Sequence, residues 1–117
     1  MARRAPHPLF LDLMEYCRQR PGAVGARVLG ETVFWVHGRV FAFLGRRERA
    51  AVTVKPPALD VERLLRRPYV RRARWIGRRG WLTVAVPDEH ALLLAHALIE
   101  ESYRLAATGR RGRRGAR

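Results

Sequence analysis

Residues 32–44, TVFWVHGRVFAFL, hold two β-rich runs on either side of Gly38-Arg39, and no other stretch restricts the fold as strongly. A glycine at the first position of a two-residue turn suits a type II′ hairpin, whose twist matches the strands it joins. That turn pairs Val36 with Phe41, Trp35 with Ala42 and Phe34 with Phe43. Because strand side chains alternate, one face then carries Phe34, Val36, Phe41 and Phe43. The other carries Val33, Trp35, His37, Val40, Ala42 and Leu44. The face richer in aromatics is the expected core side, which leaves Trp35 on the outer one.

An isolated hairpin is marginal in water, so the flanking segments must cover it. Residues 8–20, PLFLDLMEYCRQR, place Phe10, Leu13, Met14 and Cys17 at helical spacing, and Pro21-Gly22 stops the run. Residues 88–107 form a second amphipathic helix with Leu92, Ala95, Ile99, Ser102, Tyr103 and Ala106 on one stripe. Leu93, Leu94 and Ala97 lie off that stripe and are expected against the first helix. Between the helices, 50–55 alternates as a third strand ended by Pro56-Pro57, and Asp60 is placed to cap a short helix running to Pro68. ARWI and GWLTVAV flank Gly77-Arg78-Arg79-Gly80 as a second hairpin. The economical packing is α+β: an antiparallel sheet with the two long helices on one face and the other face open. Residues 1–107 read as one domain, and 108–117, almost all Gly and Arg, as a disordered tail.

Charge limits the partners. The chain carries 24 basic and 10 acidic residues, and the segment 1–107 alone keeps 19 basic against 10 acidic, a net +9. A field of that sign attracts nucleic acid, anionic lipid or acidic protein. No apolar run is long enough to cross a bilayer and no secretory signal is evident, so a cytoplasmic protein without a membrane partner is expected. Twenty-three of the 24 basic residues are Arg and there is no Asn, so part of the arginine signal is compositional bias.

The blocks GETVFWVHGRVFAFLG (30–45), VTVK (52–55), WIGRRGWLTV (75–84) and PDEHALLLAHALIEESYRL (87–105) resemble the MmcQ/YjbR, or double-wing, family over about residues 10–107. The resemblance implies a frataxin (CyaY)-like α+β fold and a DNA-binding role, DNA being favoured over RNA. The chain departs from that pattern in Trp35, where relatives often carry Lys, and in the arginine density of 63–79. The acidic iron-binding ridge of frataxins has no counterpart on a first helix whose acids are Asp12 and Glu15. No cofactor is implied.

Catalytic signatures are lacking. Ser102 and Cys17 sit on inner helix stripes without a neighbouring base, and His90 and His96, six residues apart on one helix, point about 240° apart. There is no P-loop, no GxGxxG and no metal-ligand spacing, so a non-enzymatic protein with no catalytic or metal site is expected. The stretch 63–79 is different, holding eight arginines and no acid. Guanidinium groups grip phosphate bidentately, and interleaved aromatics offer stacking planes. The candidate nucleic-acid-binding residues are Arg66, Arg67, Arg71, Arg72, Arg74, Arg78 and Arg79, with Arg110, Arg111, Arg113 and Arg114 in the tail. The candidate stacking residues are Trp35, Tyr69, Trp75 and Trp81. With Asn absent and Gln almost so, low sequence specificity is expected. Three other readings are open: a solvated basic face, a protein-interaction or homodimer surface around Trp35, or a small-ligand pocket between sheet and helices.

Overall fold

The computed structural model describes residues 5–109. Its elements run α1 (Pro8–Arg18), β1 (Val24–Val28), β2 (Glu31–Val36), β3 (Arg39–Leu44), β4 (Ala51–Val54), α2 (Val61–Leu64), β5 (Val70–Arg72), β6 (Leu82–Ala85) and α3 (Glu89–Ala107). All six strands join one sheet in the order β1-β2-β3-β4-β6-β5, with every pairing antiparallel. This is the expected α+β class, with one long helix rather than two: α3 has 19 residues and α1 has 11. Strand β1 had no signal in the sequence, since its VGARV is exposed throughout and shows no buried alternation.

Helix α1 begins at His7, whose Nδ1 accepts a hydrogen bond from the Leu9 backbone N–H, and α3 begins at Asp88, whose side chain accepts from Ala91 N–H. These caps satisfy donors that a helix start leaves orphaned. Asp60 stands at the head of α2 without capping it; its carboxylate pairs with Arg63 at 3.1 Å instead. Phe10, Leu13 and Cys17 of α1, and Leu92, Ala95, Leu98, Ile99 and Ala106 of α3, share one buried cluster with Phe34, Val36, Phe41, Val52, Val54, Leu82 and Val84 of the sheet. Leu93 is 69% exposed and does not pack on α1. Across the helix pair, the Tyr16 ring stacks on His96 with centroids 4.1 Å apart, and His96 Nε2 donates to Asp12 at 2.6 Å.

The β2–β3 hairpin differs from expectation in turn and register. His37 (φ 52°) and Gly38 (φ 76°) are both left-handed, and Val36 pairs with Arg39, so the turn is type I′ on His37-Gly38. The register shifts between Phe34 and Trp35, leaving Phe34 opposite Ala42 and Trp35 opposite Val40. Phe41 is the extra residue of a β-bulge. Its consequence is a change of face: Phe41 and Ala42 are both fully buried, and beyond them Leu44 rather than Phe43 enters the core. Phe43 passes to the opposite face, where its ring meets Trp81 edge-on at 5.3 Å.

That opposite face is not wholly open. One row of paired residues crosses all six strands: Ala26, Val33, Phe43, Thr53, Thr83 and Arg71. The loop 73–81 folds over part of the row, closed by the Ala73 N–H donating to the Trp81 carbonyl at 3.0 Å. Trp81, Thr83 and Val33 are buried beneath it or beside it.

Candidate nucleic-acid interface

The second hairpin exists, but ARWI is not its first strand. Val70–Arg72 is the strand, and 73–81 is a broad loop containing a single 3-10 turn, Gly77–Arg79. Two glycines shape it. Gly80 (φ 93°) ends the turn in the left-handed region, and a Cβ on Gly77 would stand 2.9 Å from Arg72 Cβ, so the loop sits tightly against β5. Arg74, Trp75, Arg78 and Arg79 are exposed around this turn.

Alternation along β5 divides its arginines. Val70 enters the core, Arg71 shares the outer face with Thr83, and Arg72 turns to the other side, where it pairs with Glu62 of α2 at 3.2 Å. Arg63 is likewise matched by Asp60. Two of the eight arginines therefore meet acids, from the segment just before them. The stretch carries no acid of its own, but the short helix before it brings Asp60 and Glu62 alongside Arg63 and Arg72. Arg66, Arg71, Arg78 and Arg79 form no ion pair among the described residues. Arg67 donates to the Tyr69 hydroxyl at 3.4 Å.

The aromatics separate just as clearly. Tyr69 packs half-buried against the core cluster, and Trp81 is 9% exposed under the loop, so both are structural. Trp35 is half-buried on the outer face between Val24 and Val40; Phe43, not Trp35, is the partner of Trp81. Trp75 alone stands free, 87% exposed, with the Arg74 guanidinium 5.7 Å from its ring centroid. Its backbone is left-handed at φ 69°, a conformation that costs a bulky residue on the order of 1–3 kcal/mol.

A groove of about 590 Å³ runs along the outer face next to Trp75. Arg71 and Arg74 line it together with Arg46 and Arg49 of the β3–β4 turn, with Phe43, Thr53 and Thr83 also among its lining residues and Glu31 the one acid. The Thr53 and Thr83 hydroxyl oxygens are 2.7 Å apart, so one donates to the other and the second keeps its hydrogen for another acceptor. A second depression of about 580 Å³ shares Trp75 and Ile76 with this groove and is lined by Arg78 and Arg79. Arg46 and Arg49 were missed in the sequence because they sit in GRRERA beside Glu48, where they resemble an ordinary charged turn. Arg66 and Arg67 line neither depression, and Arg110, Arg111, Arg113 and Arg114 lie outside the described residues.

Nucleophiles are poorly placed. Burial pushes the Cys17 thiol up to about 12, against a weaker opposing pull from Arg20. Ser102 is fully buried, its hydroxyl donating to the Phe41 carbonyl at 2.8 Å and accepting from Lys55 N–H at 3.0 Å. Among the described residues no three His, Cys, Asp or Glu side chains gather as a metal site, and no helix is long and apolar enough to cross a membrane.

The family model described as YjbR matches residues 19–105, so the chain belongs to the YjbR family. A crystal structure of a protein from Pseudomonas syringae, a Northeast Structural Genomics Consortium target, is 16% identical with a TM-score of 0.64. The alignment covers 82% of this chain and 97% of that one, and shows a common fold. Among curated proteins none matches.

Proposed function

We propose that this YjbR-family chain is a non-enzymatic, cytoplasmic nucleic-acid-binding protein of low sequence specificity that holds phosphates on the outer sheet face, DNA being the favoured partner. One observation carries the reading: Arg46 and Arg49 from one turn and Arg71 and Arg74 from another, distant in sequence, line a single groove. That convergence on one concave surface supports phosphate binding over a surface made basic by composition alone. Arg78 and Arg79 extend the positive field beyond Trp75, and the arginines already matched by acid, Arg63 and Arg72, belong to the scaffold.

Binding of a random 20-base-pair duplex at several salt concentrations tests it. Each phosphate contact releases counterions, so log affinity should fall with log salt at a slope of about −0.9 per contact. Replacing Arg46 and Arg49 together with Ala should flatten that slope by about one to two units, and replacing Arg78 and Arg79 should do the same, for all sequences alike. An intact chain without salt-dependent binding makes the arginines solvated surface and ends the proposal.

A further inference from the structure

The basic surface is divided by an exposed indole. Trp75 and Ile76 line both depressions, one shared with Arg46, Arg49, Arg71 and Arg74 and the other with Arg78 and Arg79. A side chain that only filled space would not be 87% exposed in the left-handed region, and nothing in the core depends on it. Arg74 stands over the ring at 5.7 Å, a cation–π contact that holds the indole without enclosing it.

We infer that the outer face takes a single strand rather than only the outside of a duplex: one unpaired base stacks on Trp75, and its two flanking phosphates fall in the arginine depressions on either side. This rests on the nucleic-acid reading above and names the form of the ligand. A paired base keeps its faces inside the duplex stack and cannot meet the indole, whereas an unpaired one offers a π-face of any sequence. The 590 Å³ groove is within the range of sites that enclose a small organic group, and the spare hydroxyl hydrogen of the Thr53–Thr83 pair supplies a donor among the residues that line it. The shared chemistry is a base between two phosphates; whether the sugar is deoxyribose or ribose is left to the ligands below.

The experiment measures binding of the full chain to a dT 12-mer, a U 12-mer, an abasic 12-mer with the same phosphates, a 12-base-pair duplex and polyglutamate. The intact chain and Trp75→Ala are compared at one salt concentration, after their thermal melts have been shown to coincide. Trp75→Ala should weaken dT or U binding about tenfold or more, the worth of one stacked base, and leave duplex and abasic binding within about twofold. The abasic strand should bind the intact chain as weakly as dT binds the variant. A dT-over-U preference assigns DNA, and the reverse assigns RNA, both consistent with the inference. Equal loss for strand and duplex, no loss for the strand, or polyglutamate binding as tightly as dT overturns it. If the duplex still binds with the salt dependence of the titration proposed above while Trp75→Ala has no effect on the strand, the stacking inference falls and the phosphate reading survives. If no nucleic acid binds, both fall.

Discussion

The Ser102 hydroxyl of α3 donates to the carbonyl oxygen of Phe41, the bulged residue of β3, at 2.8 Å, and accepts from Lys55 N–H at 3.0 Å just past the end of β4. A bulge interrupts the ladder and needs partners from elsewhere, and here one buried hydroxyl serves two strands at once. Ser102→Ala should therefore cost roughly 2–3 kcal/mol, more than an exchange of similar size on an exposed helix face. Urea unfolding followed by circular dichroism reads the difference, and a loss under about 0.5 kcal/mol would mean the bulge holds itself.

The bulge also sets which phenylalanine matters. Phe41→Ala should cost about 3–5 kcal/mol, because the ring is fully buried between Phe34 and Tyr103. Phe43→Ala should cost only about 1–2 kcal/mol, since its half-buried ring packs on Trp81 alone of the aromatics. Equal losses in the two unfolding curves would argue for unbroken alternation along β3.

Cys17 makes stability sensitive to alkali. Its folded value, about 12, lies above the ordinary 9.0, so the folded chain keeps a proton that the unfolded chain gives up. The stability contribution is whole below pH 9.0 and falls as pH rises from there toward 12, by up to about 1.4 kcal/mol per pH unit. In the same chain, a thiol reagent at pH 8 should react at a rate set by opening of the fold, rising when denaturant is added.

Much of this was legible in residue order. The α1 and α3 stripes, the β4 alternation ended by Pro56-Pro57, and the Asp88 start of α3 follow from spacing and capping, which are local. The register of β2 on β3 was not, because His37 takes φ 52° where Gly38 was expected to open the turn, and a bulge adds one residue that composition does not mark. Strand β1 was invisible because an exposed edge strand buries nothing to leave a pattern. At the candidate site, Trp75, Arg71, Arg74, Arg78 and Arg79 could be named from the sequence. Arg46 and Arg49 join them only because β4, which follows their turn, pairs with β6, which follows the 73–81 loop, a relationship no local pattern carries. The pairing of Arg72 with Glu62 was hidden for the same reason, since ten positions separate them along the chain.

The loop 73–81 is bound at its ends by the Ala73–Trp81 hydrogen bond and within by Gly77 pressed against Arg72, while Trp81 is seated on Phe43. Arg74, Trp75, Arg78 and Arg79 are thus carried on a backbone whose shape is already decided before any ligand arrives. In the binding proposed above, association would lose the rotamer freedom of the guanidinium stems but not that of the main chain, so the entropic toll would be confined to side chains. Loosening Gly77 or Trp81 would leave every charge in place and still weaken the proposed binding, by returning to the free protein the disorder that the fold has removed.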